Sequence, residues 1–220
     1  MTTGRSGNPP PSGWLARAAC VVLALAGCAT DPGGGLRVVL CGDSTMSHYA
    51  AEGGIVGWGE VLHGFLDPDA ALFDLAIPGA TAESFLREGL PGALAANADI
   101  AIVQFGHNGN DSLREARAVD SMVSAFRARR TRTILVTPME SRDGIAGAGT
   151  LAAGIRQAGA RLDLPVVPLD SLSHLAWAAA GPDSMELFFH DHVHLTGAGA
   201  LRIAALAAEW IARFEPELRP

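Results

Sequence analysis

Five short apolar runs, each stopped by glycine, proline or a polar turn and separated by stretches long enough for a helix, constrain this chain more than any other feature. They cover residues 36–40, 71–77, 100–105, 133–136 and 166–169. Strands that alternate with crossover helices pair in parallel, and a parallel sheet must be covered on both faces. Each run that ends in a turn therefore delivers that turn to one edge of the sheet, where open α/β sheets hold their ligands.

The intervening segments 56–66, 81–90, 113–130, 151–162 and 172–180 read as helices, and 196–214 as the last. Thr81 and Thr196 stand where N-caps belong, and Pro91-Gly92 is expected to end the second helix. Val119, Met122, Val123 and Phe126 fall on one face of the 113–130 segment. The predicted fold is α/β: a flavodoxin-like three-layer α/β/α sandwich with a five-stranded parallel sheet. At 220 residues, 49% of them hydrophobic, the chain is long enough for one well-buried core and short for two. A net charge of -7 argues against nucleic-acid and anionic-membrane surfaces, which call for clustered Lys and Arg. A monomer is expected.

Residues 1–28 are of a different kind. Arg5 and Arg17 precede the apolar run 18–26, too short to span a membrane but suited to a signal peptide. It ends in Leu25-Ala26-Gly27-Cys28, which resembles a bacterial lipobox with Cys28 as lipidation site; a conventional signal peptide is the other reading. Residues 29–35 are expected to form a flexible tether and 36–220 the folded domain. An exported lipoprotein anchored to a membrane by its lipid follows. Cys41 is then the one thiol of the folded domain, a small core hydrophobe without an intramolecular disulfide partner.

The first strand runs into Gly42-Asp43-Ser44-Thr45-Met46, which makes Ser44 a candidate nucleophile. A serine needs a base, and the stretch His190-Asp191-His192-Val193-His194 offers one. Asp191 and His194 are three apart, so on a helical turn the carboxylate would reach the imidazole Nδ1 and leave Nε2 for the Ser44 proton. Taken alone, three histidines and an aspartate serve equally as metal ligands. The separate Ser44 turn and a candidate oxyanion hole favour hydrolysis with neither metal nor cofactor. Donors for the hole come from turns leaving three strands: the Ser44 N–H, the Gly79 N–H after Pro78, and the Asn108 side-chain amide. His190 and His192 are left to face solvent or substrate.

Four blocks, Gly42 to Met46, Ala76 to Gly79, Gly106-His107-Asn108 and Asp191 to His194, resemble those of the SGNH (GDSL-type) hydrolase superfamily in order and extent. Gly57-Trp58-Gly59, Phe105 to Asn108 and Thr137-Pro138 are most similar to its rhamnogalacturonan acetylesterase-like group. The resemblance implies Ser44, Asp191 and His194 as triad, and Ser44, Gly79 and Asn108 as oxyanion donors. It implies a serine esterase that removes small acyl groups, acetyl above all, from carbohydrate such as rhamnogalacturonan, pectin or xylan. The alternatives are a lipolytic esterase or thioesterase on the same triad, and a non-catalytic glycan-binding lipoprotein. Two departures stand out: Gly79-Ala80-Thr81 replaces the group's Gly-Arg-Ser, and Asn108-Gly109-Asn110-Asp111 replaces its Asn-Asp. Asp111 is the expected substitute for the displaced acidic residue, Trp58 reads as a packing residue, and Asn110, Asp111 and His192 are candidate substrate contacts.

Overall fold

A computed structural model describes residues 34–49, 53–109, 111–144 and 147–220, with 147–150 described by their backbone alone. The expected signal segment, Cys28, most of the tether and Asn110 lie outside the described residues. The strands are β1 (Arg37–Gly42), β2 (Ala71–Asp74), β3 (Ile100–Gln104), β4 (Arg132–Val136) and β5 (Val166–Val167). They form one sheet in the order β2-β1-β3-β4-β5, every pair parallel. The chain first steps outward from β1 to β2 and then returns to β3 on the other side, so a crevice opens between the carboxyl ends of β1 and β3.

Eight helices are described: α1 (Trp58–Leu62), α2 (Ala82–Glu88), α3 (Leu90–Ala95), α4 (Ser112–Ala128), α5 (Gly147–Leu162), α6 (Leu169–Ala180), α7 (Met185–Phe188) and α8 (Gly197–Phe214). Side chains alternate across the pleat, which divides the core in two. Val38, Leu40, Ile102 and Ile134 pack with Trp58 of α1, Trp177 of α6 and Ile203 and Ile211 of α8. Val39, Cys41, Ala101 and Leu135 pack with Phe85 of α2, Met122 and Phe126 of α4 and Ile155 of α5. The three predicted layers follow directly. Cys41 is a fully buried free thiol, and burial pushes its pKa up, helped by the charge of Asp74.

Local chemistry explains the helix starts and the departures from expectation. Thr81 Oγ1 accepts from Ser84 N and Ser84 Oγ accepts from Thr81 N, both at 3.0 Å, a reciprocal cap for α2. Thr196 caps α8 through Gly199 N. Pro91-Gly92 does not terminate helical structure: α2 gives way at Gly89, and Pro91 sits in the first turn of α3, where its missing N–H costs nothing. β2 is assigned only to Asp74, yet Leu75 N and Ile77 N still donate to Leu40 O and Gly42 O of β1, so the chain stays paired as far as the expected end. α6 begins three residues early, directly after Pro168, and α1 continues as the 3-10 turn His63–Phe65.

Thr133 of β4 is 3% exposed, and its Oγ1 finds no hydrogen-bond partner among the described residues. An unpaired buried hydroxyl is a cost that a methyl group of the same shape does not carry. Thr133→Val is therefore expected to raise the unfolding free energy by about 1 kcal/mol, read as a higher urea midpoint at unchanged slope.

Candidate active site

β1 ends where the crevice opens, and the backbone there leaves little choice of residue. A Cβ on Gly42 would lie 2.7 Å from Met46 Sδ and 3.1 Å from the Gln104 carbonyl oxygen. The chain then coils into a turn in which Met46 N and Ser47 N both donate to Asp43 O, at 3.1 and 3.2 Å. Asp43 Oδ1 accepts from Thr45 N at 3.0 Å and from Thr45 Oγ1 at 2.8 Å. Ser44 stands at the head of this turn, 6% exposed. α1 is set directly upon it: Trp58 N donates to Thr45 O and Gly59 N to Met46 O. Side chains on Gly57 or Gly59 would collide with the Met46 carbonyl, which accounts for the Gly57-Trp58-Gly59 pattern. Trp58 is the packing residue expected, fully buried, and its indole also donates to Gln104 Oε1 at 3.0 Å.

β3, the neighbour of β1, ends in Gly106-His107-Asn108. His107 Nδ1 lies 3.1 Å from Asp43 Oδ2, and Asn108 Nδ2 donates to Ala80 O at 3.1 Å. The second bond ties the β3 turn to the turn after β2, where Gly79 is exposed with φ +76, a conformation that strains any residue with a Cβ. The three candidate oxyanion donors therefore stand on turns joined by hydrogen bonds. The acidic residue beside them is not the one expected. Asp111 caps α4, its Oδ1 accepting from Leu113 N and Arg114 N. The carboxyl that packs against Gly109 is that of Glu115: a Cβ on Gly109 would fall 2.7 Å from Glu115 Cδ. Glu115 Oε2 accepts from Ala82 N at 2.7 Å, and burial raises its pKa. A glutamate one helical turn inside α4 has enough reach to occupy this space from outside the motif, so spacing alone did not reveal it.

Asp191 and His194 do meet, though not on a helical turn. The segment is a loop closed by an antiparallel bridge between Phe189 and Leu195, with His190 N donating to His194 O at 2.8 Å. Asp191 Oδ1 accepts from Val193 N and His194 N, both at 2.8 Å, and this side-chain turn aims Oδ2 at His194 Nδ1, 2.7 Å away. Burial pushes the Asp191 pKa up, but the His194 ring and the two backbone N–H groups outweigh it and hold the carboxyl down at about 2. His192 is exposed and its Nδ1 pairs with Asp143, while His192 O accepts from Arg142 N. Among the described residues no group of three or more His, Cys, Asp or Glu is placed to hold a metal ion.

Tyr49, the one tyrosine of the chain, connects the two halves. Its hydroxyl donates to Ser44 O at 3.1 Å, and its ring meets the His194 ring edge-on with centroids 6.4 Å apart. Ser44 and His194 therefore share a neighbour, although no hydrogen bond joins Ser44 Oγ to the His194 ring among the described residues. Such bonds are often long before substrate binds. Its uniqueness five residues after the candidate nucleophile was the one sequence signal for Tyr49.

The GDSL-like lipase/acylhydrolase family model matches residues 40–202. A rhamnogalacturonan acetylesterase of Bacillus subtilis is 25% identical, covering 80% of this chain and 89% of its own. Among solved structures, the Bacillus subtilis protein YXIM aligns with a TM-score of 0.76 at 22% identity over 84% of this chain, which spans 58% of that one. An acetylxylan esterase of Geobacillus stearothermophilus aligns with a TM-score of 0.65 at 16% identity, over 82% of this chain and 94% of its own. Both structures share the fold.

The Asp191 carboxyl should titrate near 2 in a carbon-detected NMR experiment, and His194→Ala should move it up toward 3.8. Because this folded-state value is depressed, its contribution to stability is present above the unfolded carboxyl pKa and is lost as pH falls through the folded value. An unchanged midpoint in the variant would contradict the pairing.

Proposed function

Since the chain belongs to the GDSL-like lipase/acylhydrolase family and is a carboxylic ester hydrolase of the SGNH type, we propose that Ser44, His194 and Asp191 form its catalytic triad. The observation that carries the reading is the Asp191–His194 pair resting against Tyr49, whose hydroxyl holds the Ser44 carbonyl. With Nδ1 committed to Asp191, the His194 ring keeps Nε2 as its acceptor. Ser44 Oγ attacks the ester carbonyl carbon and its proton passes to Nε2. The oxyanion that forms is met by the N–H groups of Ser44 and Gly79 and by the second N–H of the Asn108 amide, the first being engaged with Ala80 O. Collapse breaks the bond to the alcohol oxygen, which leaves with the His194 proton. Water, giving a proton to His194, then attacks the acyl-enzyme carbonyl carbon; the bond to Ser44 Oγ breaks, Oγ takes that proton back from His194, and the acid leaves.

The finer reading is that the acyl group is acetyl and the alcohol a carbohydrate of the rhamnogalacturonan, pectin or xylan kind. The named activities of the Bacillus subtilis and Geobacillus stearothermophilus relatives support it. So does the composition of the turns around Ser44, Asn108 and His194, rich in Gly, Asn, Asp and His and poor in large apolar side chains. A longer acyl chain gains about 0.8 kcal/mol per buried CH₂ only where an apolar wall receives it. Export and a lipid anchor at Cys28 belong to the same proposal and rest on residues 1–28 alone. Among the described residues no helix is long and apolar enough to cross a membrane.

Asn108→Ala is expected to lower kcat about 100- to 1000-fold, the usual loss on removing one oxyanion donor. Its circular dichroism should be unchanged, because the side chain is exposed; loss of folding would make Asn108 structural. Across acetate, butyrate and octanoate esters of one alcohol, kcat/KM should fall with chain length, and acetate should be released from acetylated pectin or xylan. A rise toward octanoate without release from either glycan would favour the lipolytic reading.

A further inference from the structure

His107 takes no part in the chemistry above, yet its side chain is only 6% exposed and lies directly behind the Ser44 turn. Its two ring nitrogens face two oxygens. Nδ1 is 3.1 Å from Asp43 Oδ2, and Nε2 is 3.1 Å from the carbonyl oxygen of Met139, in the turn after β4. A neutral imidazole carries one donor and one acceptor, so either tautomer with an ionised Asp43 would set a ring lone pair against an oxygen lone pair in a dry site. With Asp43 ionised, only the doubly protonated ring satisfies both contacts.

We propose that His107 is held as an imidazolium and acts as a positioning residue, bridging the Asp43 carboxylate to the Met139 carbonyl so that the Ser44 turn and the Asn108 turn keep one relative placement. The surroundings of Asp43 favour the charged pair over a neutral one with the proton on the carboxyl. Its Oδ1 accepts from Thr45 N and Thr45 Oγ1, and Oδ2 also lies 3.5 Å from His107 N. Hydrogen bonds of this kind stabilise the ionised form. Burial alone would raise Asp43 and lower His107; their mutual charge and hydrogen bonds reverse both, holding the carboxyl below and the imidazole above its ordinary range. Among the described residues Asp43 is the one charge that acts on His107 directly. Glu115 of α4 and Tyr49 of the Ser44 loop are the further titratable groups that feel Asp43.

The pH dependence that follows has a definite sign. A group whose folded pKa is raised contributes stability that is present below its unfolded pKa and lost as pH rises through the folded value. The order of the site should therefore fail on the alkaline side. Tyr49 is held above the ordinary tyrosine range, chiefly by burial.

Two measurements test this, and only the second rests on the Ser44 assignment. In long-range ¹⁵N–¹H NMR of histidine-labelled protein at about pH 7.5, one unit above the free imidazole pKa, one histidine should show protons on both ring nitrogens and imidazolium shifts. Its ring protons should show cross-relaxation to Met139, which assigns it to His107 without a variant. A neutral His107 with a proton on a single nitrogen would overturn the proposal. In the second measurement, His107→Gln should lower kcat at least 10-fold with KM within about 2-fold, and the alkaline limb should vanish from kcat/KM while the acid limb stays. An alkaline limb kept unchanged in that variant, at wild-type kcat, would overturn the positioning role even if the ring proved charged. Should His107→Gln not fold, His107→Asn is read against the same outcomes.

Discussion

A carboxylate taken wholly out of water must be met by donors from every side, and at Asp43 those donors come from separate parts of the chain. Thr45 supplies two from the turn that follows β1, and His107 supplies a third from the turn after β3. His107 in turn reaches the carbonyl of Met139 beyond β4. One buried charge thus fastens three adjacent strand ends across the crevice where the sheet changes direction. Gln104 adds a second tie beneath it, accepting from the Trp58 indole and donating to Thr45 Oγ1. Ser44 owes its placement to this network more than to any contact of its own hydroxyl.

The His194 side is built differently. Asp191 is substantially exposed and satisfied by its own loop, with two backbone N–H groups on one oxygen and the His194 ring on the other. That arrangement needs only a short loop closed by the Phe189–Leu195 bridge and braced by α8. Tyr49 spans from this loop to the Ser44 carbonyl. The denser network therefore sits on the side of the proposed nucleophile Ser44 and the proposed oxyanion turns, while His194, the proposed proton carrier, stands on a locally determined loop. This division suits a hydrolase in which one geometry must hold through two successive acyl transfers.

Much of this was legible in the residues. Short apolar runs stopped by turn residues marked all five strands, and the turns ending β1, β2 and β3 brought Ser44, Gly79 and Asn108 to one edge, because parallel strands leave no other place for them. Spacing was less informative wherever side-chain reach or loop geometry decided the outcome. The interval between Asp191 and His194 suits a helical turn, yet a side-chain turn achieves the same pairing. Pro91 looks like a terminator but opens α3, since position within the helix governs its effect. Glu115, in the first turn of α4, fills space beside Gly109 where Asp111 was expected, and Tyr49 carried no motif at all. These are contacts between distant segments, and no local pattern encodes them.

The central claim is that acyl transfer runs through Ser44 as a covalent intermediate held by this network. Rapid acid quench during turnover of a chromogenic acetate ester, followed by peptide mass mapping, tests it directly. The account predicts a burst of alcohol release and a single peptide carrying one acetyl group on Ser44, the modification disappearing as substrate is exhausted. Turnover with no acetylated peptide, or an acetyl group on any other residue that forms and decays at the catalytic rate, would contradict it.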